Sequence, residues 1–347
     1  MTLLSDFDYE LPQELIAQTP ADERDLSRLL HLAPDGSVGH HTVRDLPGLL
    51  KPGDLLVLND TRVFPARLEG VRAGGGRSEL LLLERLDSHR WRVLGRPARK
   101  LPKGGRLSFG GGRLEAEVLE VEEEGKRIVE FRFEGAWDGL LEELGTTPLP
   151  PYIESDEDER TTRLRYQTIY ARPSGSIAAP TAGLHFTEAM FDGLRERGVE
   201  VAFLTLHVGH ATFQPIREEE IDAHRMGVER YVVPEETKKK IQATRAAGRR
   251  VVAVGTTTVR AVESAALAGF PPGWQETDLF ITPGFQFCVV TGLLTNFHLP
   301  KSSLLILVSA LGGRERVLGA YREAVRESYR FYSFGDAMLL YPAGNMP

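Results

Sequence analysis

The stretch Arg250-Val-Val-Ala-Val-Gly-Thr-Thr-Thr-Val-Arg-Ala-Val-Glu-Ser-Ala-Ala-Leu-Ala268 predicts the fold class of this chain. Its short apolar run, Arg250 to Val254, is typical of a buried strand, and Thr257 to Ala268 has the pattern of a helix. The same alternation recurs upstream, where Val199 to His207 indicates a strand and Glu235 to Ala247 a helix. Strands that alternate with helices in this way predict an α/β domain.

A different pattern occupies the chain from about Arg67 to Gly135. Short apolar runs are separated by glycine-rich turns, and several runs alternate apolar and charged residues, as half-buried strands do. We expect no helix of any length there, and a small barrel or sandwich. Upstream of this segment, the pattern from Asp54 to Asp60 predicts a buried strand that pairs with the α/β part. The sequence therefore predicts an α/β main domain (residues 1–64 and 148–347) with an inserted small all-β, barrel-like domain (residues 65–147).

Composition excludes several classes of protein. The chain has 347 residues, of which 41% are hydrophobic and 26% charged, as in a soluble globular protein. A single cysteine, Cys288, excludes a disulfide framework and a zinc site built on cysteines. The N-terminus lacks the features of a secretory signal, and the longest apolar run, Leu304 to Leu311, is too short to span a bilayer. We therefore expect a cytoplasmic protein without a membrane segment.

The net charge of −7 gives no uniformly basic surface, yet positive charge is concentrated in one stretch. Its cations are Arg85, Arg90, Arg92, Arg96, Arg99, Lys100, Lys103 and Arg106. A local basic patch can bind a polyanion despite an acidic total. The alternative is a solvated face of the β domain, and the pattern alone leaves both open.

Polar side chains are crowded at the start of the predicted helix Ser302 to Leu311. Thr295, Asn296, His298 and Lys301 precede it within one short turn. Burying such groups is costly unless they have partners, and the N-terminus of a helix is a ready site for an anion or a polar substrate. We expect Pro300 in the first helical turn, where its missing N–H costs nothing. The alternative is a well-capped core helix with a histidine in the preceding loop.

A second segment, Gly175-Ser-Ile-Ala-Ala-Pro-Thr-Ala-Gly-Leu-His-Phe-Thr187, is built of small residues around Thr181 and His185. Gly175 and Gly183 allow a backbone to approach a ligand closely. Thr187 predicts an N-cap, so His185, like His298, precedes a helix. Two histidines placed this way indicate acid–base work more than packing.

Two further segments offer polar groups at strand ends. Gly255-Thr-Thr-Thr-Val-Arg260 follows a buried strand and opens a helix, where a carboxylate or phosphate can dock; the alternative is an ordinary N-cap. His207 and His210 lie at another strand end, and with His224 they would form a three-histidine metal site only if Gly209 turned the chain. The preferred interpretation is a polar substrate wall or core histidines.

These motifs resemble the S-adenosylmethionine:tRNA ribosyltransferase-isomerase family of queuosine biosynthesis, over nearly the whole chain. The matching segments are Phe7–Pro12, Ile16–Pro20, Leu58–Val63, Pro148–Ile153, Tyr166–Ala171, Ala179–Thr187, Gly255–Arg260, Thr277–Ile281, Thr295–Lys301 and Tyr329–Met338. There are two departures. The family usually has small residues at Gly209-His210-Ala211. It also usually has a second histidine and an acid after the methionine, where this chain reads His224-Arg-Met-Gly227-Val-Glu229. This departure excludes a catalytic role at Gly227 and suggests that His210 has taken over part of the polar function.

The resemblance implies a reaction in which the ribosyl part of S-adenosylmethionine moves to the aminomethyl-deazaguanine wobble base of tRNA. Adenine and methionine leave, and the sugar becomes the epoxy-cyclopentane ring of epoxyqueuosine. As catalytic residues it implies His185 and His298, the candidates for base and acid, together with Lys301 and Asp278. As substrate-binding residues it implies Thr181, Gly183, His207, Gly255, Thr256, Thr257, Arg260 and Asn296.

The resemblance also implies the partners. They are S-adenosylmethionine, consumed as a co-substrate with no resident cofactor or metal, and the anticodon loop of tRNAs with a GUN anticodon. We expect a monomer, and the Arg85–Arg106 stretch gains weight as an RNA patch. Two alternatives stay open: a non-catalytic RNA-binding module built on the β domain, and a metal-dependent hydrolase that uses His207, His210 and His224.

Overall fold

The computed structural model describes residues 2–150, 152–153, 157–210 and 216–344. The strands in chain order are β1 (Arg28–Leu32), β2 (Val38–Thr42), β3 (Leu55–Asn59), β4 (Arg62–Val63), β5 (Arg67–Arg72), β6 (Arg77–Arg85), β7 (Arg90–Arg96), β8 (Arg106–Phe109), β9 (Leu114–Val121), β10 (Lys126–Phe133), β11 (Gly145–Thr146), β12 (Ser174–Ser176), β13 (Glu200–His207), β14 (Glu229–Val232), β15 (Val251–Val254), β16 (Gln275–Thr277), β17 (Gly292–Asn296) and β18 (Ala337–Leu340). The helices are α1 (Leu46–Leu49), α2 (Trp137–Leu144), α3 (Glu159–Arg165), α4 (Glu188–Glu196), α5 (Glu235–Ala246), α6 (Thr256–Leu267), α7 (Ser303–Gly312) and α8 (Arg314–Arg326).

The main sheet has β3 near its centre. Within the described residues its strand order is β16-β14-β13-β3-β15-β17-β18-β1-β2. Strand β3 runs parallel to both β13 and β15, and β15 runs parallel to β17. All five residues of β3 are buried, as expected for a strand with a neighbour on each side and helices on both faces. The chain continues from β3 to β13 on one side and then reaches β15 on the other. Such a change of direction marks the sheet edge where α/β proteins bind ligands.

Helices cover both faces of this sheet. Side chains of α6, α7 and α8, among them Val259, Leu305 and Val317, form one core cluster. Side chains of α4 and of the preceding segment, including Phe186 and Met190, form the cluster on the other face. The sheet is therefore the middle layer of three, and the predicted α/β main domain is confirmed.

Two helix ends differ from the sequence predictions. Helix α7 begins at Ser303, and its cap is Ser302, whose Oγ accepts a hydrogen bond from the N–H of Leu305 at 3.2 Å. Pro300 lies before that cap, so its predicted place in the first turn was wrong. The sequence pattern also predicts a helix from Arg314 to Tyr329. Helix α8 instead ends at Arg326, because Ser328 takes a left-handed conformation (φ 55°) that no helix continues through.

The inserted segment forms a small closed β-barrel. The order β5-β6-β7-β10-β9-β8 closes on itself because β8 also pairs with β5, and β11 adds beside β5. Alternate residues point inward, as in β7, where Trp91 and Val93 are buried between partly exposed neighbours. The predicted barrel-like insertion is therefore confirmed. Helix α2, which the sequence did not predict, adds Trp137 and Leu141 to the barrel core.

No helix in the described part of the chain is both long enough and apolar enough to cross a membrane.

Candidate functional site

A row of polar groups follows the carboxyl ends of four neighbouring parallel strands. His207 ends β13, Asn59 ends β3, Gly255 follows β15, and Asn296 ends β17. Because these strands are parallel, the residues meet at one edge of the sheet, at the point where the strand order changes direction. The row is the candidate functional site.

Asn59 joins two parts of this row. Its Nδ2 donates to the carbonyl of Leu206 at 2.9 Å and to Oγ1 of Thr257 at 3.3 Å. Its Oδ1 accepts from the N–H of Leu206 at 3.0 Å and from the N–H of Thr61 at 3.1 Å. The side chain is fully buried, so these bonds satisfy an amide that would otherwise be costly to bury. Asn59 was not among the site residues predicted from the sequence. The pattern that could have indicated it is a buried strand that ends in polar residues.

Three neighbouring residues enclose the imidazole ring of His207. Its Nδ1 shares a hydrogen bond of 2.8 Å with Oγ1 of Thr61, and its ring stacks on the Trp274 indole with centroids 4.8 Å apart. A Cβ at Gly175 would lie 2.6 Å from Nε2, so only glycine leaves room for the imidazole. Burial, and then the charge of Arg230, lowers the pKa of His207 to about 4. The imidazole is therefore neutral at pH 7 and held in one orientation.

The Gly255 turn opens helix α6. Gly255 has φ 87°, a left-handed conformation that favours glycine, and no described side chain caps the helix. Thr256 and Thr257 are buried, and Oγ1 of Thr258 donates to the carbonyl of Val254 at 2.6 Å. The first N–H groups of α6 therefore remain available to a ligand that reaches them.

Arg260 is engaged within the protein. Its Nη1 pairs with Glu229, and its Nε donates to the carbonyl of Leu279 at 3.0 Å. Glu229 also accepts from the N–H of Gly209 at 2.9 Å. The pair is buried, so Arg260 ties α6 to β14 and to the segment that follows His207. The structure thus gives Arg260 a scaffold contact beside its predicted part in substrate binding.

His185 and Asn296 form the other end of the row. Nδ2 of Asn296 lies 3.2 Å from Nε2 of His185, and the two residues are 2% and 4% exposed. Burial lowers the pKa of His185 to about 4. A small pocket of about 100 Å³ adjoins His185 and is also lined by Arg24 and Arg165.

The segment that carries His185 packs against the Gly255 turn. Thr181 begins the single turn Thr181–His185, and a Cβ at Gly255 would lie 3.8 Å from Ala182. A Cβ at Gly183 would lie 2.1 Å from Oη of Tyr170, so glycine is required for close packing. The structure therefore brings together the predicted residues Thr181, Gly183, His185, Gly255 and Asn296.

His298 lies on the opposite face of the sheet from His185. Successive residues of a strand face opposite sides, and His298 is bonded through Nε2 to Thr295 at 3.0 Å rather than to Asn296. Its N–H donates to Oη of Tyr321, and its carbonyl accepts from Oη of Tyr9. Burial lowers the pKa of His298 to about 3. The two predicted catalytic histidines are therefore not brought together.

Lys301 and Asp278 also lie apart from the row. Lys301 is about half exposed and pairs with Asp8 at 2.8 Å. Asp278 is exposed and follows β16, which forms the far edge of the main sheet. Neither makes a contact with the row among the described residues.

A cleft of about 1070 Å³ separates the barrel from the α/β body and reaches His207. The barrel contributes Arg85 and Trp91 to its walls. His210 and Gly227, the two departures from the family pattern, both line this cleft, whereas 211–215 lie outside the described residues. The cleft is about ten times larger than the pocket beside His185, which measures about 100 Å³.

The basic stretch divides into paired and unpaired cations. Arg90 pairs with Asp87, Arg92 with Glu84 and Glu122, and Arg106 with Glu117. The cations with no carboxylate within 4.0 Å in the described part of the chain are Arg85, Arg96, Arg99, Lys100 and Lys103. The stretch therefore does not act as one uniform positive surface.

The described residues contain no group of three histidine, cysteine or carboxylate side chains arranged to hold a metal ion. His224 bonds Glu218 at 3.1 Å and packs on Phe280, away from the stacked ring of His207. The three-histidine site thus finds no support in the arrangement of these donors.

Comparison with known proteins identifies the family. The family model described as "Queuosine biosynthesis protein" matches residues 4–340. An S-adenosylmethionine:tRNA ribosyltransferase-isomerase of Pelotomaculum thermopropionicum is 54% identical over 341 residues, covering 97% of this chain and 99% of the relative. The protein of the same name from Moorella thermoacetica is 53% identical over 344 residues, with the same coverage.

A solved structure is also similar. The crystal structure of an S-adenosylmethionine tRNA ribosyltransferase from Thermotoga maritima is 42% identical in sequence and has a TM-score of 0.54. The match covers 96% of this chain and 99% of that one. The chain therefore belongs to the queuosine biosynthesis family of S-adenosylmethionine:tRNA ribosyltransferase-isomerases, a family of tRNA-modifying transferases.

Proposed function

We propose that the row of polar groups and the adjoining cleft are where this chain moves the ribosyl part of S-adenosylmethionine onto the aminomethyl-deazaguanine wobble base of tRNA. The products are epoxyqueuosine in the tRNA, adenine and methionine. The observation that carries the proposal is the position of the row. It lies at the switch point of the sheet, and its His207 end opens into a cleft large enough for an extruded nucleotide.

The Gly255 turn is the proposed site for the methionine carboxylate. The uncapped N–H groups of α6 and the positive end of its dipole favour an anion there. Asn59 connects the turn to the strand that ends at His207, so a ligand at the turn lies close to the cleft. S-adenosylmethionine is consumed as a co-substrate, and the proposed site needs no resident metal or cofactor.

His185 is the proposed acid–base group beside this turn. Its lowered pKa keeps the imidazole neutral at pH 7, and the Asn296 amide fixes its ring. Thr181 and Gly183 place the backbone of the same turn next to it. The catalytic roles of His298, Lys301 and Asp278 stay predictions, which require separate tests because these residues lie outside the row.

The acceptor is the wobble base of tRNAs with a GUN anticodon. An anticodon loop presents unstacked bases, and such a base can leave the loop and enter a pocket. His207, held between Gly175 and Trp274, forms the polar wall that the base would meet. We propose that the chain acts as a monomer in the cytoplasm. A non-catalytic RNA-binding module would not require the buried polar row that the α/β body holds.

Purified protein incubated with S-adenosylmethionine and tRNA carrying aminomethyl-deazaguanine tests this function. We expect adenine and methionine to be released in equal amounts, and no release with the same tRNA bearing guanine at the wobble position. Production of S-adenosylhomocysteine with methylated tRNA would refute the proposal. An Asn59→Leu variant serves as the site control, because it removes the bonds that join the end of β13 to the Gly255 turn.

A further inference from the structure

The cleft carries unneutralised positive charge in a chain whose net charge is −7. Most acids that line it are already paired with a cation: Glu84 with Arg92, Glu124 with Lys126, Glu142 with Arg163, and Glu229 with Arg260. Among the described acids that line the cleft, only Asp138 and Glu276 have no cation within 4.0 Å.

The cations of the cleft show the opposite pattern. Those with no carboxylate within 4.0 Å in the described residues are Arg62, Arg85, Arg225 and Arg230. Arg85 comes from the barrel, whereas the other three come from the α/β body. Positive charge therefore faces the cleft from both domains.

A second group of cations lies at the end of strand β7 and in the barrel segment that follows it. We call Arg96, Arg99, Lys100 and Lys103 the basic corner. All four are exposed or partly exposed, and none has a carboxylate within 4.0 Å in the part of the chain that the structure describes. The segment that carries Arg99 and Lys100 adjoins the cleft at Gly125, which stands between the cleft residues Glu124 and Lys126: a Cβ at Gly125 would lie 3.8 Å from that of Ala98.

A buried arginine of the barrel forms hydrogen bonds with the backbone of the segment that carries the basic corner. The buried Arg127 donates from Nε to the carbonyl of Leu101 and from Nη2 to the carbonyl of Ala98, both at 2.8 Å. These two bonds fasten the segment that carries Arg99 and Lys100 to strand β10. Because this backbone is already ordered, less entropy is lost when the segment binds an anion.

We propose that the basic corner and the unpaired cleft cations form one track, which binds the phosphates of a tRNA strand. The barrel and the α/β body both contribute cations to this track. The proposal rests on the proposed function and adds which cations do the binding. Arg90, Arg92 and Arg106 fall outside the track, because a carboxylate at 2.6, 2.9 and 3.3 Å, respectively, already offsets the charge of each. Each unpaired cation, in contrast, displaces a counter-ion from the RNA when it binds.

The test compares two charge-removing variants by tRNA affinity at several salt concentrations. The corner variant carries Arg96→Gln, Arg99→Gln, Lys100→Gln and Lys103→Gln. The matched control carries Arg90→Gln, Arg106→Gln, Arg113→Gln and Arg132→Gln, which remove four barrel cations that each pair with a carboxylate and that are outside the cleft lining. The probe is tRNA with a GUN anticodon and aminomethyl-deazaguanine at the wobble position. Thermal unfolding of each variant checks that the barrel remains folded.

We expect the corner variant to lower the slope of log affinity against log salt by about 0.7 for each phosphate that the protein no longer binds, up to about 3 in all. The control should keep the wild-type slope and the wild-type rate of adenine release. An Arg225→Gln, Arg230→Gln variant should lower the slope by about 1.4. This decrease measures the contribution of the α/β body to tRNA binding.

Two results would overturn the inference: an unchanged slope in the corner variant, or an equal decrease of the slope in the control. An unchanged slope in the corner variant would mean that the RNA binds elsewhere. An equal decrease in the control would mean that general surface charge, and not the basic corner, causes the salt dependence. Failure of the proposed function is distinguishable, because in that case the wild-type protein would release no adenine with this tRNA, whatever its affinity.

Discussion

Oγ1 of Thr61 and Nδ1 of His207 are 2.8 Å apart, although the two residues are separated by 146 positions in the chain. They meet because β3 and β13 are parallel neighbours, so the residues at their carboxyl ends share one edge of the sheet. Trp274 covers the imidazole ring, and Gly175 approaches its Nε2. One hydroxyl therefore engages Nδ1 of His207, while Nε2 lies beside Gly175.

Replacing that hydroxyl tests the role of His207. We expect Thr61→Val to lower kcat/KM by about 10-fold or more, because loss of a buried hydrogen-bond partner costs about 1–3 kcal/mol. Thr61→Ser keeps the hydroxyl and should stay within about 3-fold of wild type, a margin of under 1 kcal/mol. Steady-state rates of adenine release measure both. Equal activity of the valine and serine variants would show that the orientation of His207 does not matter.

The two predicted catalytic histidines should behave differently. We expect His185→Asn to lower kcat by about 10²-fold, the usual effect of losing an acid–base group, with tRNA affinity unchanged. For His298→Asn we expect mainly a lower midpoint of thermal unfolding, because its buried ring packs in the core and bonds Thr295 there. A 10²-fold fall in kcat with unchanged stability of His298→Asn would restore the catalytic role that the sequence suggested.

The free energy of unfolding should decrease as the pH is lowered through a defined range. The folded pKa values of about 4 for His185 and about 3 for His298 lie below the unfolded value of about 6.5. As pH falls from about 6.5 toward these values, the unfolded chain binds the extra protons, so the free energy of unfolding decreases. Each histidine contributes at most about 1.4 kcal/mol per pH unit.

Denaturant unfolding between pH 6.5 and 4.5 measures this dependence. Acidic groups also contribute to it, so the comparison is between the wild-type protein and a His185→Gln, His298→Gln variant. The variant should show a shallower decrease. Parallel curves would contradict the assignment of both histidines as buried neutral groups.

Gly183 should tolerate alanine only if Tyr170 is also changed. An added Cβ would come within 2.1 Å of Oη of Tyr170, and overpacking of this kind costs about 1–3 kcal/mol. Tyr170→Phe removes that oxygen, which has no hydrogen-bond partner among the described residues. We expect the double variant to recover part of the stability that Gly183→Ala loses. Additive losses, measured by a double-mutant cycle, would place the strain elsewhere.

The sequence predicted the elements whose local pattern is strong. The run Val251–Val254 and the helix Thr256–Leu267 follow from periodicity, and the barrel follows from alternation between glycine-rich turns. Helix α2 escaped prediction because it is only eight residues long and owes its place to the packing of Trp137 and Leu141 on the barrel.

The candidate site could be predicted only in part, because sequence gives proximity along the chain and not across the sheet. Thr295 and Asn296 are adjacent, yet they lead to His298 on one face and His185 on the other. The bonds of Asn59 to Leu206 and Thr257 depend on strand order, which no local pattern encodes. Pairing of Arg90, Arg92 and Arg106 likewise became visible only when the neighbouring strands were placed.

The fate of the carbon atoms of S-adenosylmethionine tests the central claim most directly. The protein is incubated with acceptor tRNA and S-adenosylmethionine labelled with ¹³C either in the ribose ring or in the methyl group, and the wobble nucleoside is analysed by mass spectrometry. The account predicts that all five ribose carbons enter the modified nucleoside and that the methyl label leaves with methionine. Methyl label in the RNA, with ribose label retained in S-adenosylhomocysteine, would contradict it.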